Sequence, residues 1–246
     1  MNSGRSAAWF RRIRVARAQR LRYAETSREA EVSPWRIIWI NPKDISHVSR
    51  QKGVIYPKSD RVLSHILDGD WDLDVASFWA NEISEAIRQR IRESKPWRET
   101  ALVRRLYEEL SLPNARPQWH KCRTPEEVDQ RCAKIDGLIA SIRDHGFLPP
   151  RGILFGRSGL TTEHPPDAVS IAVTRVGTFQ HLNGRHRLAI AKSLNLDQIP
   201  VRIGVRHALW QQQRATFLQS NSGHPPEHLR HPDVYFLLER KGSGDA

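Results

Sequence analysis

The chain has 246 residues, 39% of them hydrophobic and eight of them tryptophan, enough to fill the core of one domain with a large insertion or of two small ones. No apolar run approaches the length of about 20 residues that spans a bilayer, and no basic start followed by an apolar stretch marks a signal peptide. The two cysteines, Cys122 and Cys132, lack C-x-x-C spacing, which argues against a disulfide framework, a zinc site or a redox pair and for a cytoplasmic protein with reduced thiols.

The net charge of +12 is unevenly spread. Residues 1–24 hold seven arginines, Arg5, Arg11, Arg12, Arg14, Arg17, Arg20 and Arg22, and no acid. A basic arm of this kind suits DNA, an anionic membrane surface or an acidic partner, and a solvated helix or an Arg-rich transit peptide has the same composition. Residues 1–34 are therefore read as a basic arm and a polar linker. Arg36 to Ile40 is a compact apolar run and the first expected strand, closed by Pro42. Ile45 to Val62 reads mostly as loop.

Residues 63–123 read as an insertion that carries a helical hairpin. It opens on DGDWDLD, Asp68 to Asp74. Four aspartates so close suit a hard cation, but the calcium-loop pattern requires glycine and glutamate where Leu73 and Trp79 stand. An acidic turn capping the next helix, or acids pairing with the basic arm or with Arg185 and Arg187 further along the chain, is the alternative. Val75 to Glu93 is expected as one helix with Val75, Phe78, Ile83, Ile87 and Ile91 inward, and Glu99 to Leu112 as a second with Leu102, Val103, Leu106 and Leu110 inward. Trp97 and Trp119 are assigned to packing.

Thr124-Pro125-Glu126-Glu127 is a helix start, with a capping threonine, a proline in the first turn and a capping-box glutamate. Val128, Cys132, Ile135, Ile139 and Ile142 continue it at helical spacing, and Gly146 ends it. A strand at Gly152 to Phe155 and a polar loop over Gly156 to Asp167 follow. Ser170 to Arg175 and Thr178 to Leu182 then form a hairpin about Val176-Gly177. Arg185 to Leu194 is helical, with Asn195 closing it, and Ile199 to Val205 alternates as a half-buried strand. A C-terminal extension, 208–246, holds a helix over Trp210 to Ser220 and a turn-rich loop with His224, His228 and His231. Prolines at 225, 226 and 232 keep those histidines off one helical face, so no metal site is assigned there. Asp233 to Arg240 is a final short helix.

Chemistry concentrates at Asn183, Gly184, Arg185, His186 and Arg187. The first N–H groups of a helix lack internal partners and carry the positive end of its dipole. Cations placed there oppose the dipole unless an anion shares the site, and backbone donors with guanidinium forks suit phosphate. Arginines coating a solvated helix end are the bland alternative.

Asn183 to Ala189, NGRHRLA, resembles the phosphate-loop signature of the ParB/sulfiredoxin-like superfamily, most closely its G-x-H-R branch, which includes sulfiredoxins and ADP-dependent free-serine kinases. Leu138 to Pro150, LIASIRDHGFLPP, is similar to the ParB helix that leads into a proline-marked strand, and IIWINPKDI, Ile37 to Ile45, to that family's opening strand. The similarity covers residues 35–48 and 126–207. It implies a mixed α+β domain over 35–207 with a small sheet and packed helices, interrupted by the insertion at 63–123. It also implies a nucleoside triphosphate or diphosphate (ATP, ADP or CTP), with or without Mg2+, held by Asn183, Gly184, Arg185, His186 and Arg187, with His186 as phosphate donor or proton carrier. Hydrolysis or phosphoryl transfer would follow from such a site, and a DNA-associated binding protein or nuclease using the basic arm is the alternative. Arg185 stands where sulfiredoxins carry cysteine, which excludes their chemistry, and neither a helix-turn-helix nor a dimerisation tail of ParB type is visible.

Overall fold

Short apolar runs separated by turns assemble into one mixed sheet. The computed structural model describes residues 37–51, 65–112, 116, 119–147, 169–220 and 224–235. Among them the strands are β1 (Ile37–Ile40), β2 (Ile45–Ser49), β3 (His65–Leu67), β4 (Val75–Ser77), β5 (Val169–Val173), β6 (Phe179–Asn183) and β7 (Ile199–His207). Their order is β1-β7-β5-β6-β2-β4, and β3 joins β7. The helices are α1 (Glu82–Arg92), α2 (Ala101–Leu110), α3 (Pro125–His145), α4 (Arg185–Ser193) and α5 (Ala208–Gln219). The α+β class expected from the sequence is the class that forms.

β7 is the axis of this sheet. One edge runs parallel to β5, from Val201 to Arg206. The other edge is divided: β1 lies antiparallel along Ile199 to Arg202, and β3 parallel along Val205 to His207. All nine β7 residues are buried, where simple alternation predicts half-burial, because elements cover both faces. A register shift against β5 also breaks the alternation. Ile199, Val201 and Ile203 join the main core, whereas Val205 joins Trp71 and Ala172 in a separate small cluster.

Three expectations are corrected. Ile45 to Ser49 is a strand, β2, with Ile45 fully buried, and not loop. Val75 to Glu93 is not one helix: Val75 to Ser77 pairs with Ser49 to His47 as β4, a 3-10 turn follows, and the Asn81 side chain accepts a hydrogen bond from Ile83 N to start α1 at Glu82. The segment 63–123 is therefore more than a helical add-on, since it contributes β3 and β4 to the sheet. The second helix is shorter than expected because Thr100 caps it. Its predicted inward residues, Leu102, Val103, Leu106 and Leu110, are all buried.

α3 follows its sequence closely. Thr124 accepts from Glu127 N at 3.3 Å, the Glu127 carboxylate accepts from Arg123 N at 2.5 Å, and the five predicted core residues are buried. Gly146 ends the helix with φ of +73°. The β5–β6 turn closes through Thr174 N to Thr178 O and Gly177 N to Thr174 O. The arm and linker, the strand and loop at 152–167, and the final tail lie outside the described residues, and the last predicted helix is described only to Tyr235.

Candidate functional site: the start of helix α4

Strand β6 delivers the chain to Asn183, and Gly184 turns it. Gly184 sits at φ +83°, ψ +32°, a left-handed conformation that glycine adopts without steric cost. The Asn183 side chain accepts from Gly184 N at 2.8 Å. The first intrahelical bond of α4 runs from Leu188 N to Gly184 O, and no side chain caps the helix start. Leu188, Ala189, Ile190 and Ala191 are fully buried, so the helix is anchored by its body and its first turn is held in place. At its other end Lys192 Nζ donates to Pro42 O (2.7 Å) and Ile45 O (3.1 Å).

The predicted residues stand together, with their side chains spread over aromatic rings. Arg185 lies over the Phe78 ring at 5.4 Å and donates to Ser84 Oγ at 3.1 Å. Burial pulls its guanidinium below the ordinary arginine range, with no carboxylate contributing. Arg187 lies over Phe147 at 5.8 Å. His186 packs beside His120 (5.6 Å between ring centres) and Trp119 (6.5 Å). Burial, and then the charges of Arg131, His120 and Arg185, lower its pKa to about 4. At neutral pH the helix start therefore presents two guanidinium groups and an uncharged imidazole. Burial and Arg131 lower His120 as well.

Phe78, Ser84, Trp119, His120 and Arg131 are absent from the sequence-based site assignment; Trp119, assigned to packing, does pack against the main core, and it also reaches His186. A local backbone signal marks only the Trp119–His120 turn: Trp119, His120 and Lys121 are consecutive positive-φ residues, at 21°, 60° and 71°. Such a run is costly for residues with a Cβ, and sequence periodicity does not reveal it.

The acidic turn lies elsewhere. Arg175 Nη2 donates to Asp72 Oδ1 and Asp70 Oδ1, both at 2.7 Å, Arg175 N donates to Asp72 Oδ2 at 3.0 Å, and Asp74 pairs with Arg50 at 3.8 Å. Burial raises the Asp72 pKa, but hydrogen bonds from Arg175 more than reverse this, and the group stays ionised. Arg175 precedes β6 and Gly184 follows it, so that strand separates the aspartates from the α4 start. Asp70 and Asp72 latch the β5–β6 turn through Arg175, and none of the three acids caps α1 or pairs with the site arginines. His231 is likewise structural. It packs on Phe179 and Trp210 and accepts from Asp233 N at 3.0 Å, while His224 and His228 are exposed. Among the described residues no group of three or more His, Cys, Asp or Glu is placed to hold a metal, and no helix is long and apolar enough to cross a membrane.

No protein-family model matches the chain, and neither does any curated protein or solved structure.

Proposed function

We propose that the start of α4 binds the phosphates of a nucleotide, and that the protein acts on a nucleoside triphosphate or diphosphate such as ATP, ADP or CTP. The observation that carries this reading is Arg185. Arg88, Arg90, Arg98, Arg105, Arg175 and Arg206 each pair with an aspartate or glutamate. Arg185 is half-buried beside an uncapped helix start, and its only described polar partner is the Ser84 hydroxyl. A partly desolvated cation with no matching anion calls for one from solution. Each charge-assisted hydrogen bond to phosphate contributes about 1.5–3 kcal/mol, so a few give useful affinity. The resemblance of NGRHRLA to a phosphate-binding signature supports the same ligand.

Hydrolysis or phosphoryl transfer is the reaction class this reading favours, because charge neutralisation and positioning carry most of it. Arg185 and Arg187 would hold phosphate oxygens. His186, neutral near pH 7, would donate from one ring nitrogen or accept a proton. Mg2+ would arrive with the nucleotide, since Asp70 and Asp72 are engaged by Arg175. The buried free thiols of Cys122 and Cys132 are consistent with a cytoplasmic setting, which belongs to the same proposal.

Calorimetric titration of ATP, ADP and CTP, with and without Mg2+, tests it on the wild type and on Arg187→Ala and Arg185→Ala. At least one nucleotide should bind the wild type, with affinity reduced about tenfold or more in each variant. Equal binding by all three proteins, or none by the wild type, rejects the site. DNA is the second proposed partner, on the strength of seven arginines without an acid in residues 1–24. Its affinity should fall steeply with salt and disappear on deletion of that arm, and salt-insensitive binding would reject it.

A further inference from the structure

Beside the phosphate site, three polar nitrogens are shielded from solvent and make no hydrogen bond: Trp119 Nε1, His186 Nε2 and Arg131 Nε. They come from three separate parts of the chain: the turn after α2, the first turn of α4, and α3. Buried polar atoms without hydrogen-bond partners are uncommon in folded proteins, and several in one neighbourhood are more so. They lie beneath a group of ring faces. Trp119, His120 and His186 are in mutual contact, with ring centres 6.3, 5.6 and 6.5 Å apart, and His120 is exposed. Left-handed backbone at His120 and Lys121 holds the turn in this arrangement at a conformational cost. Burial lowers both histidines, Arg131 adds to the lowering at each, and no carboxylate offsets it.

We propose that the Trp119–His120–His186 surface, with Arg131 behind it, is a base subsite: it takes the planar, acceptor-bearing ring of a nucleotide whose phosphates rest on the start of α4. The exposed His120 ring offers a stacking face. Trp119 Nε1–H and Arg131 Nε–H offer donors to the carbonyl or ring-nitrogen acceptors along the base edge. Both donors are closed off from solvent, so the base would reach them as the exposed His120 ring, which contacts Trp119, turns aside, a fast motion. This inference rests on the phosphate reading and deepens it, because it requires that the ligand carry a base.

Inorganic tripolyphosphate separates the two. It bears more negative charge than a nucleoside triphosphate, so a site that reads phosphate alone binds it at least as tightly. Titrating the full-length protein with tripolyphosphate, ATP and CTP should show at least one nucleotide binding about tenfold more tightly than tripolyphosphate, in line with stacking and edge contacts. In Trp119→Phe, which keeps the ring and loses the N–H, and in His120→Ala, that preference should shrink towards parity while tripolyphosphate affinity is unchanged. Because His120 is exposed, its variant keeps the test sound if Trp119→Phe folds poorly. Equal wild-type affinity for tripolyphosphate and every nucleotide overturns the base subsite and leaves the phosphate site standing. A preference that survives in both folded variants also overturns it. No binding of any of the three ligands overturns both.

Discussion

Arg206 and Asp233 meet inside the protein in a two-pronged contact, Nη2 to Oδ1 at 2.6 Å and Nε to Oδ2 at 2.9 Å, with each side chain about 3% exposed. The same carboxylate accepts from Trp210 Nε1 at 3.0 Å and lies 3.1 Å from Arg214 Nε. One acid from the C-terminal segment thus serves β7 and α5 together. Asp233→Asn keeps the shape and removes the negative charge that the buried Arg206 and Arg214 guanidinium groups face. Loss of stability should be about 3–5 kcal/mol, read as a lower urea midpoint at unchanged slope. A midpoint within error of wild type would show that the cluster is not a stabilising tie.

Acid should weaken the fold in two stages. His186 and His231 have their pKa lowered to about 4 by burial, from an ordinary 6.5. Between those values the unfolded chain takes up protons that the folded one refuses, so stability is full above pH 6.5 and declines as pH falls towards 4. Asp72 and Asp233 are held below the usual carboxylate range despite burial, by Arg175 in one case and by Arg206 and Arg214 in the other. Their contribution is present above about pH 4 and is lost as pH falls further. Melting temperature against pH should show both regions, with the first shallower in His231→Gln. A flat profile from pH 6.5 to 4 contradicts the assignment of neutral buried imidazoles.

Gly177 should tolerate no side chain. At φ +84° its added Cβ would stand 2.7 Å from Trp210 Cζ3 and 2.9 Å from Cη2, and Trp210 is only 1% exposed and tied to Asp233. Left-handed strain and overpacking together should cost Gly177→Ala about 2–5 kcal/mol. Thermal or denaturant unfolding measures it, and a loss under about 1 kcal/mol would mean that the hairpin turn can shift away from the indole.

Ser84 positions Arg185 from a neighbouring helix. Ser84→Ala removes the 3.1 Å acceptor and leaves the guanidinium over Phe78 without its hydroxyl partner. Stability should change by about 1 kcal/mol, while nucleotide affinity falls several-fold as Arg185 loses its fixed direction. Circular dichroism and calorimetry on the same sample separate the two effects. Unchanged affinity would show that Ser84 has no part in orienting Arg185.

What could be read in advance follows the range of the interactions. Thr124 to Glu127, Val176-Gly177 and the helix after Gly184 are governed by neighbours in the chain, and each forms where its residues indicate. β3 and β4 are three residues long, too short for a period to register, and exist because β7 and β2 offer edges to them. The candidate site divides the same way. Asn183 to Arg187 stand out as a contiguous string. Ser84, His120 and Arg131 reach α4 only through packing of distant segments, and Asp233 finds Arg206 for the same reason. A single chain offers no local trace of such meetings.

The divided edge of β7 also governs when the fold can be completed. β1 and β3 are among the earliest described strands to be synthesised, and both pair with β7, the last of the described strands to be made. During translation the β5–β6 hairpin can close on its own, but Ile37 to Ile40 must wait without a strand partner until Ile199 to Arg202 emerges. Products of premature termination before Ile199 would therefore leave β1, β3 and β5 each without the strand it pairs with, and such truncated chains are the species most prone to pair with one another.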